Sequence, residues 1–228
     1  MKQANLENKI EYKFKNKTLL KEALTHRSYL NENPGAETDH NERMEFLGDA
    51  ALELAVTEEL YNRFPKEDEG KLTAIRAALV NFQSLAKIGK EIGVDNEVLL
   101  SRGEAKDTGR AREVITANAF EAVIGAIYLD GGYEETRKFV NKFVMVELDY
   151  ILKNGSYRDA KSLLQEKVQE KLKTTPTYRV LSEIGPEHKK IFKVGVYFNQ
   201  KLIAAGEGYS KQEAELAAAK AALATTDN

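Results

Sequence analysis

The chain has 228 residues, enough for one large or two modest domains with real cores, and 42% hydrophobic and 31% charged residues suit a soluble globular protein. It has no cysteine, which excludes disulfides, thiolate metal sites and a cysteine nucleophile. The net charge of −2 hides an asymmetry: from Ser156 onward 12 Lys+Arg face 9 Asp+Glu, while the rest carries 22 against 27, a weak hint of a polyanion binder joined to a metal-binding body.

The opening stretch, MKQANLENKIEYKFKNK, lacks the apolar segment of a secretory signal, and no apolar run of about 18 residues follows it. A cytoplasmic protein with no membrane partner is expected. Apolar spacings of three and four then predict helices over 17–30, 44–64, 69–93, 112–132 and 134–154. Gly93 and the pair Gly131–Gly132 read as helix stops, and Pro65 follows another. No period of two occurs in this portion, which predicts an all-α domain over 1–153.

Within the second of these helices, HNERMEFLGDAALEL places Met44, Leu47, Ala51, Leu54 and Ala55 on one face at about 100° per residue. Glu42, Glu45, Asp49 and Glu53 fall on the opposite face, with Phe46 among them. Further along, PKEDEGKL adds a second acidic cluster, and Asn118 and Glu121 lie three apart on one helical face. Divalent ions such as Mg²⁺ take hard oxygen ligands, a few carboxylates plus water and substrate phosphate. Helices aiming Glu45, Asp49 and Glu121 at one point would supply them; by composition alone, solvated helix faces read the same way.

The polar stretch KNGSYRDA marks the change of domain, with 154–158 as the linker. Beyond it, DAKSLLQEKVQEKLK is an amphipathic helix, followed by three alternating segments, TYRVLSEI, KIFKVGVYFNQ and KLIAAGEGYS. Tyr178, Val180 and Ile184 alternate along the first, and Phe192, Val194, Val196 and Phe198 along the second. An Ala-rich helix closes the chain, opened by the capping box Ser210-x-x-Glu213. The order α-β-β-β-α over 159–228 predicts a small α+β domain, an antiparallel sheet with two helices on one face.

NERMEFLGDAALEL resembles the signature of bacterial ribonuclease III, ITANAFEAVIGAIYLDGG resembles that family's second acidic segment, and the α-β-β-β-α portion looks like its double-stranded RNA-binding domain. The resemblance implies a homodimeric endoribonuclease that hydrolyses both strands of double-stranded RNA and processes ribosomal and other structured RNA precursors. It implies Mg²⁺, with Mn²⁺ as a substitute, and no organic cofactor. Glu45, Asp49 and Glu121 would bind the metal, with Asp49 and Glu121 catalytic; Glu42 and Glu69 would assist as auxiliary acids. Phe46 would insert into a cavity of the partner subunit. The family usually carries Asp where this chain has Asn118, whose amide oxygen can still ligate Mg²⁺ but adds no charge and is no base. An alternative is therefore a double-stranded RNA-binding protein whose cleavage is weakened or lost through Asn118.

Double-stranded RNA is read by shape, through phosphates and 2′-hydroxyls across its minor groove. Ser162, Gln165 and Glu166 on the first helix of the small domain, His188 in the GPEHKK loop and Lys211 at the start of the last helix are the expected contacts. Only Gln212 follows Lys211, where the family often has further basic residues. Arg102, Lys106 and Arg110 precede the second acidic helix and read as RNA-backbone contacts; loop solvation accounts for them almost as well.

Overall fold

In a computed structural model, residues 2–155, 157, 160–186 and 190–226 are described, and the chain divides into two compact units, Met1–Tyr157 and Arg158–Asn228. The first unit is helical: α1 (Lys2–Lys9), α2 (Lys17–Ala23), α3 (Arg27–Glu32), α4 (Glu42–Arg63), α5 (Glu69–Val80), α6 (Phe82–Ile92), α7 (Arg110–Gly131), α8 (Tyr133–Phe143) and α9 (Leu148–Asn154).

Three of the helices expected as single rods are broken, each for a visible reason. The 17–30 stretch parts into α2 and α3 because Thr25 leaves the helix to bridge Leu99, where His26 N–H donates to the Leu99 carbonyl at 3.1 Å. The 69–93 stretch parts at Asn81, which adopts extended backbone and whose side chain caps α6 by accepting from the Ser84 N–H at 2.9 Å. The 134–154 stretch parts at a 3₁₀ turn, Met145–Glu147, between α8 and α9. α6 ends at Gly93, whose φ of 88° is the left-handed conformation glycine adopts without penalty.

α7 is the axis of this unit. Ten of its residues, from Thr116 to Ile127, are buried, and it packs most extensively against α4 and α6. By length and composition it is apolar enough to cross a membrane, as a helix apolar nearly all round is when it fills a core. Phe120, Ile124 and Ile127 meet Leu52, Leu60, Ile75, Leu79 and Leu85 in one continuous cluster.

The second unit comprises α10 (Ala160–Leu172), β1 (Thr177–Ile184), β2 (Ile191–Phe198), β3 (Lys201–Gly208) and α11 (Lys211–Thr226). The strands form one antiparallel sheet in the order β1-β2-β3. Ala160, Leu164 and Val168 of α10, Val196 and Phe198 of β2, and Ala218, Ala219 and Ala222 of α11 make its core. The small side chains of α11 let it lie close on β3, where a Cβ at Gly206 would strike the α11 backbone. The alternation along β1 does not make a buried face: Val180 and Ile184 are 43% and 67% exposed. The helix α11 covers β2 and β3 and leaves β1 as an edge, and a bulge between Val180 and Ser182 breaks its alternation. The capping box closes one residue wider than written, with Ser210 Oγ accepting from the Glu213 N–H while the Glu213 carboxylate accepts from the Tyr209 N–H.

Candidate active site and nucleic-acid surface

The crossing of α4 and α7 decides where the acids meet. A Cβ on Gly48 would fall on the backbone carbonyl of Glu121, and one on Gly125 would fall on the carbonyl of Met44. Glycine in a helix interior costs roughly 1 kcal/mol against alanine. The cost is offset here because the two backbones touch. That contact sets Glu45 and Asp49 of α4 beside Asn118 and Glu121 of α7. Sequence reasoning missed both glycines, though a glycine inside each of two long helical patterns was the available signal.

The α4 faces are turned from those expected. Leu54, expected in the core, is 57% exposed, and Gly48, Leu52 and Val56 are buried instead. The rotation puts Glu45 at the margin of the buried face, half-buried, while Asp49 stays exposed. Burial first, then the nearby charges of Asp49 and Glu45, pushes the half-buried Glu121 carboxyl up to about 8. Glu45 is also raised, by burial and by Glu42, against which a hydrogen bond from the Asn118 side chain works in the opposite direction; Asp49 adds to the rise. Burial and neighbouring negative charge oppose the ionisation of Glu121 and Glu45, and a cation placed beside them would relieve both. Among the described residues, no three acidic or imidazole side chains are closed round a single point tightly enough to hold an ion alone. The arrangement is an open, all-oxygen set of three carboxylates and an amide, which suits Mg²⁺, an ion that keeps waters and binds substrate phosphate.

Glu42 belongs to this neighbourhood: Arg27 Nη1 lies 3.2 Å from its carboxylate, and its charge reaches Glu45. Glu69 does not. It sits exposed in the first turn of α5, accepting from Thr73 Oγ1 at 3.2 Å, and does not figure among the charges acting on Glu45 or Glu121. It lines instead a cleft of about 470 Å³ between α4 and α5, with Thr57, Leu60, Tyr61, Leu72 and Arg76. Phe46 stands 80% exposed. With Ala50, Leu54, Thr57 and Tyr61, the last 72% exposed, it forms a second stripe at helical spacing on α4, facing away from the core of its own unit.

The loop ahead of α7 is tied to α3. Ser28 Oγ accepts from the Ser101 N–H at 3.1 Å, Glu32 from the Arg102 N–H at 3.0 Å, and His26 Nδ1 lies 2.9 Å from Glu104 Oε2. Arg102 and Lys106 are exposed on this loop, while the Arg110 guanidinium lies over the Phe82 ring at 5.5 Å.

In the second unit, Ser162, Gln165 and Glu166 are all exposed on the side of α10 opposite Ala160, Leu164 and Val168. His188 lies outside the described residues. Lys211 is exposed at the first turn of α11, with Nζ 3.6 Å from Glu183 Oε1 and 5.8 Å from the Phe192 ring centroid. Its charge is therefore shared with Glu183 before any phosphate arrives.

Comparison with known proteins agrees across both units. A family described as Ribonuclease-III-like matches residues 16–148, and the double-stranded RNA binding motif matches 160–225. The chain is 43% identical to Ribonuclease 3 of Borreliella burgdorferi over 98% of its own length and 90% of the relative's. It is 45% identical to Ribonuclease 3 of Desulforamulus reducens over 97% and 90%. Among solved structures, the nuclease domain of ribonuclease III from Campylobacter jejuni superposes with a TM-score of 0.57 at 40% identity, covering 62% of this chain and 95% of that one.

Proposed function

The chain belongs to the ribonuclease III family and is a double-stranded RNA endoribonuclease; we propose that it hydrolyses both strands through the acids gathered where α4 crosses α7. The observation that carries the site is the raised Glu121, half-buried between Asp49 and Glu45 on helices whose backbones touch at Gly48 and Gly125. Family chemistry is metal-dependent, and the all-oxygen donor set favours Mg²⁺, with Mn²⁺ as a substitute. When bound, divalent ions activate a water and offset charge on the phosphate and the leaving 3′-oxygen.

In this reading Glu45, Asp49 and Glu121 hold the metal, Asp49 and Glu121 at the reacting phosphate. Asn118 offers a neutral oxygen, and Glu42 is kept in place by Arg27. Residues 1–153 are the nuclease portion, 154–158 the linker and 159–228 the duplex-binding portion. There α10 presents Ser162, Gln165 and Glu166 to 2′-hydroxyls and Lys211 serves the phosphate backbone, while the role of His188 in the next minor groove rests on the family resemblance alone. On the first unit, the exposed Arg102 and Lys106 offer positive charge to the RNA backbone. Processing of ribosomal and other structured RNA precursors in the cytoplasm is the cellular role that fits.

The protein works as a homodimer in this reading. The stripe of Phe46, Ala50, Leu54 and Tyr61 is too apolar to face water without cost, and the α4–α5 cleft beside it is lined by Leu60, Tyr61 and Leu72. Seating a partner's aromatic ring in that cleft brings Glu69, stranded within its own chain, towards the partner's acids. The nuclease-domain structure from Campylobacter jejuni is itself described in terms of a region involved in dimer formation.

The test is a metal exchange. Protein stripped with chelator should leave a long RNA duplex intact, cut it once Mg²⁺ or Mn²⁺ is restored, and bind without cutting in Ca²⁺. Cleavage that survives chelation would remove the metal from the reading.

A further inference from the structure

Glu104 stands on the loop ahead of α7, and its buried Oε2 lies 2.9 Å from His26 Nδ1. That nitrogen faces two incompatible demands. The Ser28 N–H, 3.3 Å away, needs a lone pair there, whereas the Glu104 carboxylate needs a proton. With Nδ1 unprotonated, Ser28 is served and Glu104 Oε2 has no hydrogen-bond donor among the described residues. With Nδ1 protonated, Glu104 gains a charged donor and the Ser28 N–H loses its acceptor. Ser28 Oγ, 2.9 Å from the same nitrogen, suits either state, since a hydroxyl both donates and accepts.

The segment held by this proton is the one that carries the exposed Arg102 and Lys106. Its root is fixed whatever the protonation: the Leu99 N–H donates to the Leu24 carbonyl at 2.8 Å, and the Leu99 carbonyl accepts from the His26 N–H at 3.1 Å. Further along, side chains of α3 take over. Ser28 Oγ and Glu32 accept from the Ser101 and Arg102 N–H groups, and the His26–Glu104 pair lies nearest Lys106 in sequence. The other charges of the packed elements have partners of their own. Arg27 lies 3.2 Å and His40 3.8 Å from Glu42 of α4, Lys21 Nζ reaches the Glu37 carbonyl at 3.3 Å, and Glu22 sits among Asp39, His40 and Arg43.

We propose that His26 is a positioning residue for RNA binding: by sharing a proton with Glu104 it pins the 101–107 loop to α3 and so sets Arg102 and Lys106 against the duplex backbone. The hold is complete while the imidazole is protonated and weakens once it is not. Imidazole is the side chain that changes charge between about pH 5 and 8. The latch concerns the free protein alone; its effect on RNA rests on the reading of Arg102 and Lys106 as backbone contacts.

The experiment compares the full chain with Glu104→Gln and Glu104→Ala, by amide hydrogen exchange without RNA and by affinity for a long RNA duplex in Ca²⁺. Corrected for intrinsic rates, the Ser101 and Arg102 amides of the parent should exchange about threefold or more faster at about pH 8 than at about pH 6. Glu104→Gln should protect them equally at both, because an amide donates to the bare Nδ1 and accepts from the protonated one. Glu104→Ala should leave them fast at both. Duplex affinity should follow the same order, with a loss at high pH in the parent that Glu104→Gln avoids and Glu104→Ala shows throughout. His40 and His188 are present in every variant, so what they contribute cancels. Parent exchange that ignores pH overturns the latch, as does exchange in either variant that matches the parent at both pH values. Exchange that follows the pattern while affinity does not overturns the positioning role. Arg102→Ala combined with Lys106→Ala then separates the two failures: unchanged affinity means that these residues are not backbone contacts, and weakened affinity means that they are but that His26 does not set them.

Discussion

At the scale of single residues, the geometry of the acids depends on side chains that are absent. Gly48 has no Cβ because the Glu121 carbonyl occupies its place, and Gly125 stands in the same relation to Met44. Gly48→Ala must push α4 away from α7 or tilt it. Overpacking of this kind costs about 1–3 kcal/mol, which lowers the melting point by roughly 2–4 °C per kcal/mol at this chain length. Cleavage should fall by more than the stability loss accounts for, since the displaced helix carries Glu45 and Asp49. Gly35, with nothing within 4 Å of where its Cβ would stand, is the control, and Gly35→Ala should leave both readings unchanged. Equal melting and cleavage for Gly48→Ala and the parent would mean that the crossing tolerates a wider gap than its backbone contact implies.

Elements show which physical signals reach the sequence and which do not. The α4 pattern was legible because its apolar residues keep a helical period, and its acids stand together in the sequence as they do in space. Leu54 was misplaced because the pattern records apolarity and not which of two apolar stripes faces the core. On α4 one stripe packs on α7 and the other, through Phe46, Leu54 and Tyr61, faces outward. The break at Thr25 was illegible, because it is imposed by Leu99, more than seventy positions away. The alternation of Val180 and Ile184 marked the strand β1 but not their exposure, because it does not record how far the helices of the layer above extend over it. The outward stripe supports a prediction about assembly. Phe46→Ala removes an aromatic anchor from each half of a twofold interface, at about 3–5 kcal/mol per ring if the ring is fully buried there. Sedimentation at micromolar concentration should show monomer where the parent shows dimer, and an unchanged dimer would place the interface elsewhere.

For the whole molecule, two cores with no shared residue argue that the nuclease unit folds alone. A chain ending at Tyr157 should keep its helical circular dichroism and cooperative melting. It should cut a duplex poorly at physiological salt, having lost α10, the sheet and Lys211, and regain part of its rate at low salt, where phosphate attraction is stronger. Equal rates with and without the second unit at every salt concentration would show that duplex binding resides in the first. Both units, the stranded Glu69 and the exposed Phe46 fit one account, in which acids on two touching helices gather a divalent ion against an RNA phosphate. The measurement closest to that claim is cleavage of a long RNA duplex by Glu121→Gln across a Mg²⁺ titration, with duplex binding followed in parallel in Ca²⁺. The account predicts that cutting is abolished at every Mg²⁺ concentration while binding, folding and dimerisation stay near those of the parent. Full cleavage at saturating Mg²⁺ would contradict it.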